Sequence, residues 1–279
     1  DGNGRFVYLS PEVGGQIALV EAAANIIASG AEPLAITDCL NYGDPTDPEI
    51  FWELHQSVQG MADACREFNT PVISGNVSLY NENNGQAIHP TPMVGMVGLI
   101  KNIDRVIPSF VQHPGDKVYL VGQTRDDYAG SELQKMMTGD ISGIVKSFDL
   151  HHVHQYMQRL LTTMENGLVS SAHDLSEGGL GVALAETVFK TDLGLKIDLA
   201  DQPATRLFSE TPGRFIVTVA PEKATEFEQV LGKDAHLIGE VTNSHWLMVK
   251  LANGKLNESV AKLQKTWEEA IPCQLKSKD

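Results

Sequence analysis

Between Gly14-Gly15 and Gly30 the chain carries Leu19, Ala22, Ala23 and Ile26 at i, i+3, i+4 and i+7, the stripe of an amphipathic helix with a glycine placed to end it. The stripe is rich in alanine, so this helix is expected to pack closely within a layered α/β unit. A strand-like FVYL precedes it and LAITDCL follows as a second strand. NYGDPTDP then supplies turn residues ahead of Asp47 and Pro48, an N-cap and a first helical position. Phe51, Leu54, Val58, Met61 and Cys65 predict the buried face of the next helix. A strand from Pro71 running into a polar loop, and another in TPMVGMVGLI, complete a first domain of order β, α, β, α, β, β.

Pro108, Pro114 and a shortage of periodic apolar residues between 102 and 114 place a boundary near 108, giving expected domains 1–108 and 109–279. The second domain is expected to open on the strand KVYLVG. Leu150, Val153, Met157, Leu160 and Met164 form a helix stripe closed by Gly167, and LVSSA follows as a short strand. HDLSEGGLGVALAETVF passes from polar loop to helix. Further strands are expected at LGLKIDL, RFIVTVA and HLIGEV, with helices over 221–231 and 257–270, the last presenting Val260, Leu263 and Trp267 on one face.

A length of 279 residues accommodates two ordinary α/β domains. The net charge of −15 argues against a surface that tracks nucleic acid, which needs a basic stripe. Cys39, Cys65 and Cys273 are odd in number and widely spaced, as reduced structural thiols would be in a cytoplasmic protein. No apolar run approaches the roughly 20 residues that span a bilayer, and no basic region with an apolar core opens the chain. A soluble, untargeted protein without membrane contact is expected. The opening DGNGRFVYLSP lacks an initiating methionine, which suggests a piece of something longer.

The segment PVISGNVSLYNENNG, residues 71–85, bears most directly on function. A glycine inside a strand pattern lets a backbone or a ligand approach where a side chain would collide, which is the use suggested for Gly75. The segment carries hydroxyls at Ser74 and Ser78; Asn76 offers an amide oxygen suited to a metal, and Ser78 can bond a substrate oxygen; the same segment also reads as a plain hairpin with a polar tip. Asp38, at a strand end, suits an adenine, ribose or magnesium contact, or equally a turn or helix cap. Cations are scarce here: residues 1–108 contain only Arg5, Arg66, Lys101 and Arg105 against thirteen carboxylates. A polyphosphate bound by this region needs divalent ions, or cations from elsewhere.

In AHDLSEGGLG, Gly178-Gly179 at a helix start exposes N–H groups that suit an anion. Asp174 and Glu177 would repel a phosphate without metal, or they cap the helix. No GxxxxGK[ST] and no GxSxG occurs. His151, His152 and His154 read as a solvated helix start in the absence of a third ligand nearby in sequence, and His173 as a loop support or a weak acid/base group.

At SGNVSLYNE, GAEPLAITDCLNYGDP and SAHDLSEGGLGVALAE the chain closely resembles the carboxy-terminal half of the phosphoribosylformylglycinamidine synthase family (formylglycinamide ribonucleotide amidotransferase), of its small, multi-subunit type. The likeness covers essentially the whole length. It implies a unit like that of aminoimidazole ribonucleotide synthetase, an α/β amino-terminal domain followed by an α/β sandwich. Two such units make a pseudo-dimer in the parent enzyme. That enzyme uses ATP and Mg2+ to activate formylglycinamide ribonucleotide as an iminophosphate, which glutamine-derived ammonia displaces to give the amidine, ADP and phosphate. A glutaminase subunit and a small bridging subunit are the implied partners, together with the amino-terminal half of the same polypeptide.

Carried over by motif, Asp38 and Gly75 are expected to contact ATP, Asn76 to ligate magnesium and Ser78 to contact the ribonucleotide. The family's catalytic histidine and phosphate-binding lysine fall in the other half, so no catalytic residue is expected here. LFSETPGR departs from the family's SESQ-type segment at Thr211-Pro212, leaving Asp174, Glu177 and Glu210 as candidates for an auxiliary magnesium–nucleotide site. The resemblance thus implies half of a carbon–nitrogen ligase of purine biosynthesis, inactive alone and self-associating through its first domain. The alternative is a non-catalytic, nucleotide-binding and structural half. A complete relative, such as aminoimidazole ribonucleotide synthetase itself or a sugar- or vitamin-phosphate kinase, is disfavoured by LYNENNG.

Overall fold

The computed structural model describes residues 1–276; the side chains of residues 273, 274 and 276 lie outside that description, and the expectation for Cys273 with them. The first helix, α1 (Gly4–Leu9), stands where FVYL suggests a strand. The Asn3 side chain caps it by accepting from the Arg5 N–H, and burial of Phe6 and Val7 overrides the β-propensity of the run. Pro11 then opens α2 (Pro11–Ala28), so Gly14 and Gly15 lie inside the helix rather than ahead of it. A Cβ on Gly14 would run into the Val7 backbone, and one on Gly15 into the carbonyl oxygen of Ser57. These glycines set how closely α1 and the later helix α3 approach α2.

The strand β1 (Glu32–Asn41) leads to α3 (Pro48–Phe68), capped by the Asp47 carboxylate on the Glu49 N–H and closed by Asn69 in the left-handed region. Its buried face differs from the apolar periodicity: Phe51 is 54 % and Val58 40 % exposed, while Ser57, Gly60, Met61, Ala64 and Phe68 are buried. Close packing on α2 favours small residues, and a Cβ on Gly60 would overlap the Glu12 carbonyl oxygen. Then follow β2 (Val72–Ser78), a small hairpin β3 (Glu82–Asn83) and β4 (Gln86–Ala87), and β5 (Thr91–Leu99). β1 is the middle of a three-stranded sheet, parallel to β2 and antiparallel to β5. The first domain therefore runs α, α, β, α, β, hairpin, β.

The second domain contains β6 (Lys117–Val121), α4 (Glu132–Thr138), α5 (Leu150–Glu165), β7 (Ser171–Asp174), α6 (Gly179–Glu186) and β8 (Gly194–Leu199). It continues with β9 (Phe215–Val219), α7 (Ala224–Leu231), β10 (Ala235–Thr242), β11 (Trp246–Leu251), β12 (Gly254–Ser259) and α8 (Val260–Lys276). The expected LVSSA strand lies slightly later, and the last helix begins only after β12. Its seven strands are ordered β12-β11-β8-β10-β6-β9-β7. One face of this sheet joins α5 and α7 in a core that also takes in Leu19, Ala23 and Ile27 of α2, Ile36 and Leu40 of β1. The other face packs Leu120, Ile197 and Ile238 against Leu180 and Leu184 of α6 and Val260 of α8.

Among the described residues no helix is long and apolar enough to cross a membrane.

Candidate functional site

The residues singled out by sequence fall in two places. The first is the β1–β2 edge of the small sheet, where Asp38 pairs with Gly75, Cys39 with Asn76 and Asn41 with Ser78. A side chain on Gly75 would collide with Asp38 Oδ1, so the glycine is required by the carboxylate that occupies its Cβ space. Alternation along a strand sends these groups to opposite sides. Asp38 shares the helix-facing side with Ile36 and Leu40, whereas Ser74, Asn76 and Ser78 lie on the outer side, where the Asn76 amide stands 3.8 Å from Cys39 Sγ. The four expected contacts thus share one strand edge without converging through their side chains. Desolvation holds the Asp38 carboxyl above its usual pKa.

β2 is exposed along nearly its whole length, Ile73 at 67 %. Its outer loop is ordered by Asn81, which donates to the carbonyls of Tyr42 (3.0 Å) and Ser78 (2.9 Å) and accepts from the Ser78 hydroxyl (3.2 Å). Tyr80, between them, has a φ of 61°.

The second place is the junction of the two domains. Glu210 Oε1 accepts from the Gly178 N–H (2.8 Å) and the Glu132 N–H (2.9 Å). The double-glycine turn therefore already holds an anion, the protein's own carboxylate. Gly178 and Gly179 both have positive φ, and a Cβ on Gly179 would run into the Ser209 carbonyl. Glu210, Glu177, Asp1 and Glu21 line one small cavity, and each of Glu21 and Glu210 keeps a buried oxygen, Oε2, without a hydrogen-bond partner among the described residues. Burial, reinforced by Asp174 and Glu177, pushes the Glu21 carboxyl up to about 8. Burial likewise raises Asp174 and Glu210, the latter against its two N–H donors.

Glu21 is the group that sequence reasoning missed, although an acidic residue on an alanine-rich helix was a visible signal. A cleft of about 140 Å3 adjoins this cavity through Phe6, Ile17 and Glu210 and brings in two cations, Arg125 and Lys146. Arg125 is tied to Asp127 (2.9 Å) and Lys146 to the Asp126 carbonyl (2.6 Å). An acidic end beside a basic end suits a cation-bound anionic ligand. The orphaned carboxylate oxygens fit a hard cation, yet among the described residues no three His, Cys, Asp or Glu side chains already stand together as an ion site. At Asn76 the fit is partial: its amide oxygen supplies one ligand, and a magnesium ion needs about six.

The histidines are accounted for by partners. His151 and His154 share Glu67 Oε1 of α3 at 2.8 and 2.9 Å, and His152 meets Asp234 at 3.0 Å. His173 Nδ1 sits 2.6 Å from the Asp174 carbonyl, within its loop. Cys39 and Cys65 are free thiols.

The fold and the paired domains have a family counterpart. The model described as "AIR synthase related protein, N-terminal domain" matches residues 1–100, and "AIR synthase related protein, C-terminal domain" matches residues 113–250. The chain belongs to the AIR synthase related family. Within it, the chain is 98 % identical over 279 residues to the phosphoribosylformylglycinamidine synthase subunit PurL of Limosilactobacillus reuteri (strain DSM 20016), covering 100 % of this chain and 38 % of that relative. It is 72 % identical over the same length to the subunit of Limosilactobacillus fermentum, again 38 % of that relative. The chain thus spans well under half of the curated relatives it matches.

Among solved structures, T. maritima PurL complexed with FGAR superimposes with a TM-score of 0.75 at 22 % identity, covering 95 % of this chain and 45 % of that one. The T. maritima protein complexed with ATP gives 0.70 at 22 %, with 92 % and 42 % covered. PurLQS from the same organism gives 0.73 at 20 %, with 94 % and 43 % covered. At such identities the likeness is one of fold.

Proposed function

We propose that this chain is the carboxy-terminal synthetase unit of a small-type phosphoribosylformylglycinamidine synthase. Its parent is an ATP-dependent ligase that converts formylglycinamide ribonucleotide, glutamine-derived ammonia and ATP to the amidine, ADP and phosphate in the cytoplasm. The observation that carries this reading is the 98 % identity to a PurL subunit along the entire chain. In this reading the domains divide near residue 108 and Asp38 and Gly75 meet ATP. Asn76 lends its amide oxygen to magnesium, and Ser78 contacts the ribonucleotide. Because β2 is an exposed edge, a nucleotide has access to Gly75 from the strand's open side. Magnesium, when bound, neutralises phosphate charge that the four cations of residues 1–108 do not.

The apolar outer face of the first domain, with Met93 50 % and Val97 55 % exposed, supports burial against the preceding half of the polypeptide, and in isolation against a second copy. Association with a glutaminase and a small bridging subunit rests on the likeness to PurLQS. The purified 279-residue chain, given ammonia, ATP, magnesium and formylglycinamide ribonucleotide, is expected to show no turnover until the rest of the synthetase polypeptide is supplied. Turnover by the chain alone overturns the reading.

The acidic and basic ends of the domain junction favour a second role, an auxiliary magnesium–nucleotide site built on Glu177 and Glu210 with Glu21 beside them, and with Asp174, which lines a separate cavity, close enough to raise Glu21. Calorimetry with magnesium-ADP tests it: binding is expected to be lost in Asp174→Asn and kept in Asp38→Asn.

A further inference from the structure

The loop after β2 contains a hydrogen-bond arrangement whose polarity is fixed. The Asn81 amide nitrogen faces two carbonyl oxygens, those of Tyr42 and Ser78, so the amide has one allowed orientation and its oxygen must be the atom facing Ser78. The Ser78 hydroxyl donates its single proton to that oxygen at 3.2 Å. What Ser78 then presents outward is lone pairs alone. The arrangement is held from several directions. The Tyr42 N–H donates to the Ser78 carbonyl (3.0 Å), the Asn81 N–H to the Tyr42 carbonyl (3.1 Å), and the Tyr80 N–H to the Gly43 carbonyl (2.9 Å). Tyr80 is kept at a φ of 61°, a conformation that is strained for a non-glycine residue and persists only where its surroundings impose it.

We infer that Asn81 is a positioning residue that sets Ser78 as a hydrogen-bond acceptor, directed at a donor of the bound ribonucleotide, a ribose hydroxyl or amide N–H, and not at its phosphate. A phosphate dianion offers acceptors only and would face the same lone pairs. This inference rests on the proposed contact between Ser78 and the ribonucleotide, and it adds the polarity of that contact and the residue that imposes it.

The test uses the full-length synthetase with its glutaminase and bridging subunits, measuring kcat and KM for the ribonucleotide and for ATP separately. Ser78→Ala and Asn81→Ala are each expected to raise KM for the ribonucleotide about five- to tenfold, the size of one lost hydrogen bond, with KM for ATP little changed. The double variant is expected to be no worse than the weaker single variant, because both remove one contact. Asn81→Asp keeps an oxygen toward Ser78 and is expected to hold KM within about threefold of the unmodified enzyme, whatever it costs in thermal stability. An unchanged KM in Ser78→Ala overturns the substrate contact and the inference with it. A raised KM in Ser78→Ala with an unchanged KM in Asn81→Ala, or with additive effects, overturns the inference alone. Should Asn81→Ala not fold, Asn81→Asp decides: a KM near the unmodified value supports the acceptor role, and a tenfold rise overturns it.

Discussion

The two larger sheets of this protein are finished to different degrees. The seven-stranded sheet of the second domain has a hydrophobic core on each face, one with α5, α7 and α2, the other with α6 and α8. The three-stranded sheet of the first has helices on one side and exposed Met93, Val97 and Leu99 on the other, with an open edge at β2. A sheet buried on one face only is ordinary when the outer face is polar; here the outer face alternates into apolar residues. The first domain leaves an apolar sheet face uncovered, and the second covers both of its own.

The sharpest way to break the contrast is at the close approach of α2 and α3, the first domain's own scaffold. Gly60→Val is expected to destabilise by about 3 kcal/mol or more, since its side chain has only the Glu12 backbone to displace. Scanning calorimetry should show an early transition, with the seven-stranded sheet melting later; a single unshifted transition contradicts the division of labour.

A smaller effect is expected at the seam between the domains. The Glu21 carboxyl titrates near 8 in the folded protein and near its ordinary 4.5 when unfolded. The folded state therefore holds a proton that the unfolded chain has released, and the stability this contributes is complete below about pH 4.5 and lost as pH rises toward 8. Glu21→Gln should leave thermal stability unchanged near pH 4.5 and raise it at pH 6 by on the order of 2 kcal/mol, flattening the pH profile. An equal effect at both pH values contradicts the assignment. The smallest change is expected at the bare face: Val97→Lys should weaken self-association of the isolated chain about tenfold by sedimentation, without altering its melting temperature.

The same contrast governs what the sequence disclosed. Elements of the second domain with strong periodicity, such as α5 with Val153, Met157, Leu160 and Met164, lie where that periodicity puts them. In the first domain packing partners decide. FVYL becomes helical because α2 buries Phe6 and Val7, and α3 turns Phe51 outward because Gly60 and Ala64 allow closer contact. The β11–β12 hairpin was readable and missed: Asn253-Gly254 is a turn signal and sits where the chain reverses, Gly254 opening β12 opposite Leu251. Asp38 and Gly75 were legible as candidates, but their mutual fit was not, since it depends on a parallel register joining segments on either side of α3. Glu210 on the double-glycine turn was illegible for the same reason: the two groups are 32 residues apart.

β1 being the central strand has a consequence for how the chain acquires its structure during synthesis. It precedes both strands that pair with it: Ile36 waits for Val72, and Glu32 for Leu99. Antiparallel closure by β5 requires nearly all of the first domain to be available, so the pairing of its three-stranded sheet is non-local and is expected to be slow relative to the formation of α2 and α3. Until Leu99 is free to pair, the nascent chain presents a helical hairpin and unpaired apolar strands, the window in which a chaperone has most to recognise.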